Sequence, residues 1–129
     1  MEKNKLVFES AHKLFVMLTV TNHSEIINHM IEIQSLANLT EFLNSPNQEI
    51  IKLTLFGISN IAVDNHFSAG SVLKDEALIF RLLHLMDSKH EALRKETCWA
   101  VLNALSNASP DDLSRFHSIY SRDYIKRLI

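Results

Sequence analysis

Apolar residues recur along three long segments of the chain at the spacing of one helix face. The segments cover about residues 4–21, 47–63 and 89–107, and the apolar positions in each fall at i, i+4, i+7, i+8 and i+11. Because this spacing follows the 3.6-residue period of an α-helix, it predicts a buried stripe along each segment. The stripes are Val7, Ala11, Leu14, Phe15 and Leu18; Ile50, Thr54, Gly57, Ile58 and Ile61; and Leu93, Thr97, Ala100, Val101 and Ala104.

Each long segment is followed by a polar break, and then a short helix and a second apolar helix are predicted. The second helices cover about residues 31–44, 75–87 and 118–129. Ser109 and Pro110 mark a helix start, because Ser caps an N-terminus and Pro suits the first turn. The chain has only two Gly and two Pro, which disfavours an all-β fold with many tight turns.

The sequence aligns with itself at a shift of 43 residues, twice and without a gap. Matched columns include Leu39, Leu82 and Ile125; Phe42, Leu85 and Leu128; and Leu43, Met86 and Ile129. This shift lies within the range of roughly 40–47 residues that is typical of armadillo and HEAT repeats. Three helices per unit favour the armadillo plan over the two-helix HEAT plan. We therefore predict an all-α fold, a right-handed α-solenoid in one domain with armadillo-type units of about residues 1–43, 44–86 and 87–129.

Composition and charge narrow the classes of partner. The net charge is −2, with 13 basic and 15 acidic residues, so a nucleic-acid partner is not expected. No run of about 18 apolar residues occurs, and a membrane span is therefore not expected. The single cysteine, Cys98, fits a reducing compartment, and the expected location is the cytoplasm and nucleus.

No motif points to catalysis or to a bound cofactor. The seven histidines and Cys98 lack the His-x3-His or Cys-x2-Cys spacing of metal ligands. No glycine-rich phosphate loop or nucleophile elbow is present. The sequence therefore predicts neither an enzyme nor a metal or cofactor site.

One part of the chain resembles a known family. The segment from Lys95 to Ala104, KETCWAVLNA, resembles the third helix of an importin-α armadillo repeat. The segment from Asp75 to Ser88 resembles the second helix before it, and Ile58 to Asn65 resembles the end of the previous third helix. The resemblance covers roughly residues 47–108, and its most specific element is a tryptophan followed four residues later by an asparagine.

The resemblance implies that Trp99 and Asn103 lie on an inner groove. In that family the asparagine pairs with the backbone of an extended nuclear localisation peptide, and tryptophan rings form slots for Lys and Arg stems. An amide offers both a donor and an acceptor, and an indole face attracts cations. The 43-residue repeat supplies equivalent positions about 100° from the core stripe. The predicted peptide-binding residues are Phe56, Asn60, Asp64, Trp99, Asn103 and Asn107.

The first unit departs from this pattern. At the positions equivalent to those of the predicted binding residues, the first unit has Lys13, Met17 and Thr21. In the second unit, Phe56 stands where the third unit has a tryptophan. Structural roles are the alternatives: Trp99 as packing between helices, the asparagines as braces of the backbone, and Asp64 as a helix-end residue.

Two functions follow from these observations. The first is an adaptor that binds extended, Lys/Arg-rich peptides, in the manner of nuclear-signal recognition during protein import. The alternative is a general armadillo scaffold that docks a folded or helical protein partner. The apolar end helices also suggest head-to-tail self-association, which a longer parent protein would explain equally well.

Overall fold

A computed structural model describes residues 2–20, 24–32 and 35–120 of the chain. These residues form α-helices and no strand, as predicted. The helices are α1 (Glu2–Thr19), α2 (Ser24–Glu32), α3 (Ser35–Leu43), α4 (Gln48–Asp64), α5 (His66–Lys74), α6 (Glu76–Leu85), α7 (Glu91–Asn107) and α8 (Pro110–Ile119). Within those ranges, no helix combines the length and the hydrophobicity that crossing a lipid bilayer requires.

The order of long, short and second helix agrees with the sequence prediction. The long helices α4 and α7 begin at Gln48 and Glu91, and they have the same length. Two boundaries were wrong. The helix predicted from about residue 31 begins at Ser35, and Ile31 belongs to α2. The helix predicted from about residue 118 does not begin there, because Ile119 ends α8 and Tyr120 is its extended C-cap. Residues 121–129, with Ile125, Leu128 and Ile129, lie outside the described residues.

Side-chain caps explain where four of the helices begin. Asn47 accepts a hydrogen bond from the backbone N–H of Glu49 at the start of α4, and Asn65 and Asp75 do the same for α5 and α6. The predicted cap of Ser109 on α8 is confirmed, with 3.2 Å between its Oγ and the nitrogen of Asp112. Each cap satisfies an amide that the first helical turn leaves without a partner.

The core lies where the long helices pack on one another, with α4 between α1 and α7. The predicted stripes of α4 and α7 are buried, and several members, such as Ile58, Val101 and Ala104, are fully buried. Gly57 permits a close approach of α1, because a Cβ atom there would lie 3.3 Å from Cγ2 of Val16. The equivalent position in α7 is Ala100, which is also fully buried.

The predicted stripe of α1 was wrong. Ala11 is exposed and Leu14 is 65% exposed, while Phe15 is half-buried. The side chains of Val7 and Leu18 lie outside the described residues. The face that α1 turns to α4 carries His12, Val16 and Thr19. The reason is that α4 covers one face of α1, whereas no described helix covers the face of Leu14.

Head-to-tail self-association stays a prediction. The exposed side of α1 carries Leu6, Leu14 and Met17, and the exposed Val20 follows directly, which is consistent with an uncovered apolar face. The other half of the predicted contact, from Ile125 to Ile129, lies outside the described residues.

A buried histidine joins the first repeat to the second. His12 is 4% exposed, its Nε2 lies 2.8 Å from Oγ1 of Thr54, and its ring stacks on Phe42 with 3.6 Å between centroids. The hydroxyl of Thr54 donates to the carbonyl of Ile50, so it accepts from a protonated Nε2 of His12. Burial lowers the pKa of His12 from 6.5 to about 4, because a charged ring would lose its hydration.

We expect the stability of the first repeat to depend on pH through His12. Because the pKa is lower in the folded state, the unfolded chain takes up the proton first. The contribution of His12 to the free energy of unfolding is therefore complete above pH 6.5 and falls as the pH is lowered towards about 4. Urea unfolding at several pH values measures this. The control is His12→Leu, which introduces the residue found at the equivalent position 55. Identical pH profiles for the two proteins would contradict the role of His12.

Candidate functional site

An open groove runs between the long helices α4 and α7. Its volume is about 600 Å³, and we refer to it as the α4–α7 groove. The lining residues are Phe56, Ser59, Asn60, Val63, Lys95, Glu96, Trp99 and Asn103. The groove therefore brings together four of the six residues that the sequence predicted for peptide binding.

Two aromatic side chains are exposed on neighbouring helices of this groove. Trp99 on α7 is 60% exposed, and Phe56 on α4 is 46% exposed. Both helices bury the stripe on an adjacent face, so the aromatic rings stay on the open side. This exposure argues against the alternative that Trp99 only fills space between helices, since a packing residue would be largely buried.

The two asparagines of the groove differ in their hydrogen bonds. Nδ2 of Asn60 donates to Oγ1 of Thr19 on α1, at 3.0 Å. The hydroxyl of Thr19 already donates to the carbonyl of Val16, so it must accept here, and this fixes which end of the Asn60 amide faces α1. Among the described residues, no group bonds to the side-chain amide of Asn103. Asn103 thus offers its whole side-chain amide to a ligand, whereas one of the two N–H donors of Asn60 is already used.

Asp64 and Asn107 are not part of the groove lining. Oδ2 of Asp64 accepts a hydrogen bond from Nδ2 of Asn65. Nδ2 of Asn107 donates to the carbonyl of Asn103 at 2.8 Å, and the carbonyl of Asn107 accepts from Nδ1 of His66. Both residues end their helices, where these side-chain bonds stabilise the local backbone. The helix-end alternative for Asp64 is consistent with this arrangement.

The groove contains one cation that is paired and one carboxylate that is not. Nζ of Lys95 lies 3.0 Å from Oε1 of Glu91, and this contact lowers the pKa of the Glu91 carboxyl. Glu96 is half-buried, and no described basic residue forms an ion pair with it. The groove therefore presents a free carboxylate beside its aromatic rings.

The sequence prediction did not include Ser59. This residue is 6% exposed, and its Oγ is buried without a hydrogen-bond partner among the described residues. The 43-residue repeat places Val16 and Leu102 at the equivalent positions, so a polar residue in an otherwise apolar column was the available signal.

The first unit offers different chemistry at the equivalent positions. Lys13 is exposed and Met17 is 61% exposed on α1, where the later units have an aromatic residue and an asparagine. Thr21 lies outside the described residues. The aromatic and amide pair is therefore repeated only across α4 and α7.

Metal binding and thiol chemistry find little support in the described part of the chain. No group of three or more His, Cys, Asp or Glu residues there is placed to hold a metal ion. Burial raises the pKa of the half-buried Cys98 thiol, which disfavours the reactive thiolate.

Comparison with known proteins identifies the fold. No family model matches the sequence, and no curated protein matches it. The structure is similar to designed armadillo repeat protein YIII(Dq.V1)4CPAF in complex with the peptide (KR)4, with a TM-score of 0.67 and 24% identity over 90% of this chain and 53% of that chain. It is also similar to designed armadillo repeat protein YIII(Dq)4CqI, with a TM-score of 0.69 and 23% identity over 93% of this chain and 54% of that chain.

These similarities confirm the predicted all-helical solenoid of the armadillo type. At this level of identity they concern the fold. The chain spans about half the length of both designed proteins.

Proposed function

We propose that this chain is a binding protein rather than an enzyme, and that the α4–α7 groove holds an extended peptide segment of another protein. The observation that carries the proposal is the placement of Phe56, Trp99 and the unbonded amide of Asn103 in one open groove. One of the designed armadillo repeat proteins of similar fold is in complex with a peptide, (KR)4.

The groove can hold both the backbone and the side chains of such a peptide. The amide of Asn103 can donate to a peptide carbonyl and accept from a peptide N–H, which holds the backbone without regard to its sequence. The faces of Phe56 and Trp99 can cover the methylene stem of a lysine or arginine side chain and attract its charge. The carboxylate of Glu96 lies in the same groove and can pair with that charge. We therefore propose peptides rich in Lys and Arg as the ligand class.

Recognition of nuclear localisation signals, in a protein that acts in the cytoplasm and the nucleus, is the more specific form of this proposal. It is supported by the resemblance of the Trp99 and Asn103 segment to importin-α. The alternative is an armadillo scaffold for a folded or helical partner. The affinity for a basic peptide falls strongly with added salt, because the salt screens the charges. The affinity of a scaffold for a folded or helical partner need not depend on salt in this way. Salt dependence of the affinity for a natural partner separates the two functions.

The first prediction of the proposed function concerns Trp99. We expect Trp99→Ala to weaken binding of the octapeptide (KR)4 by about 2 kcal/mol, roughly 30-fold, because an exposed aromatic anchor in a groove contributes an energy of this order. Isothermal titration calorimetry measures the affinity. The matched control is Phe80→Ala, since Phe80 is 74% exposed on α6 and does not line the groove.

Equal affinities of the Trp99→Ala and wild-type proteins, with circular dichroism melts that show both folded, would contradict the assignment of the groove. A loss of affinity in Phe80→Ala as large as that in Trp99→Ala would place the peptide elsewhere.

The second prediction separates the two asparagines. We expect Asn103→Ala to weaken (KR)4 binding by about 1 kcal/mol, the usual net value of a hydrogen bond. Asn60→Ala should cost less affinity, because one of the two Nδ2–H donors of Asn60 already bonds to Thr19 and only the other is left for the peptide. The same titrations measure both variants. A larger loss in Asn60→Ala than in Asn103→Ala would contradict the hydrogen bonding that distinguishes the two residues.

A further inference from the structure

Ser59 has a helical hydroxyl that is buried and makes no hydrogen bond to any described residue. Six serine and threonine side chains donate to a backbone carbonyl one turn earlier: Thr19, Thr40, Thr54, Ser71, Thr97 and Ser118. Such a bond is the usual way for a hydroxyl within a helix to find a partner. Oγ of Ser59 makes no such bond, although it is buried.

A buried hydroxyl without a partner carries a cost. The penalty is about 1–3 kcal/mol when the group is removed from water and no hydrogen bond replaces the lost hydration. Buried polar groups of native proteins are mostly bonded, so an exception requires an explanation, and a ligand can supply the missing partner. Ser59 lines the α4–α7 groove, and rotation about its Cα–Cβ bond would turn the buried Oγ towards a ligand there, which can then supply the partner.

The neighbours of Ser59 indicate which ligand group fits. Phe56 and Trp99 provide exposed aromatic faces in the same groove, and Glu96 provides a carboxylate without a described ionic partner. The carboxylate can only accept hydrogen bonds, and the hydroxyl can accept as well. The groove thus combines aromatic faces with two acceptors, which suits a cationic side chain that carries several donors.

Arginine meets this requirement better than lysine. The guanidinium has five N–H donors in a fixed planar fork and stacks on aromatic rings, so it can bond to two acceptors at once. The ammonium of lysine is a compact charge with strong hydration, and it gains less from a second, neutral acceptor in a buried place.

We propose that Ser59 makes the α4–α7 groove, which Phe56 and Trp99 also line, selective for arginine over lysine. The guanidinium would pair with Glu96 and donate to Oγ of Ser59. This inference rests on the proposed function, because it specifies which side chain of the bound peptide enters the groove.

The test compares two peptides on three proteins. Calorimetric titration of an all-arginine and an all-lysine octapeptide gives the ratio of their affinities for the wild type, Ser59→Ala and Ser71→Ala. We expect the wild type to prefer arginine, and Ser59→Ala to reduce that ratio about fivefold, the equivalent of one ordinary hydrogen bond. Affinity for the lysine peptide should be kept. Ser71→Ala is the matched control, because that hydroxyl bonds to the carbonyl of Phe67 on α5, outside the groove, and the ratio should not change.

The outcomes separate this inference from the proposed function. An unchanged ratio in Ser59→Ala, while Trp99→Ala still weakens both peptides, overturns the role of Ser59 and leaves the peptide groove standing. A decrease of the arginine-to-lysine affinity ratio in Ser71→Ala as large as that in Ser59→Ala also overturns the role of Ser59. Failure of the wild type to bind either octapeptide contradicts the proposed binding of basic peptides, and the selectivity with it.

Discussion

The packing of α4 between α1 and α7 is the interaction on which the rest of the structure depends. Each long helix of the solenoid buries its apolar stripe only where a neighbouring helix covers it. Gly57 in α4 permits α1 to lie close, because a Cβ there would press on Val16, and the equivalent residue of α7 is the small, fully buried Ala100. The same packing leaves the aromatic side of α4 and α7 open, so the groove follows from the way the core is formed.

Hydrogen bonds between side chains link successive repeats of the stack. His12 bonds to Thr54 between α1 and α4, and Gln48 bonds to His90 at the start of α7. The two partners of each bond are 42 residues apart in the sequence. Asn60 bonds to Thr19 at nearly the same separation. These bonds join one repeat to the next at defined points, in addition to the apolar contacts of the core. The bond of Asn60 also takes an amide donor away from the groove, so stability of the stack and capacity for a ligand compete at this residue.

The groove consequently has an uneven chemistry along the stack. Between α4 and α7 it has two aromatic rings, one unbonded amide, a free carboxylate and an unpaired hydroxyl. On α1 the equivalent positions carry an exposed lysine and an exposed methionine, Lys13 and Met17. Such a surface favours one strong anchoring point for a bound peptide over a series of identical ones.

The sequence by itself determined the helices, the 43-residue repeat and the columns of aromatic and amide residues. Helical periodicity and caps are local properties, so Asn47, Ser109 and the stripe of Ile50 to Ile61 could be interpreted without a structure. The resemblance of the Trp99 and Asn103 segment to importin-α indicated which face of the long helices lines a groove. Four of the predicted site residues do lie together in the α4–α7 groove.

Only the tertiary structure decided which faces are covered and which polar groups are already bonded. The stripe of α1 has the right period, yet Leu14 is exposed because burial requires a second helix against that face. Asp64 and Asn107 share the phase of the groove residues, but bonds at the helix ends use their side chains. The partner of Asn60 and the lack of one for Ser59 depend on groups from a neighbouring repeat or on side-chain orientation. A sequence pattern records where a residue lies on its own helix, whereas hydrogen bonding and burial depend on what lies opposite it.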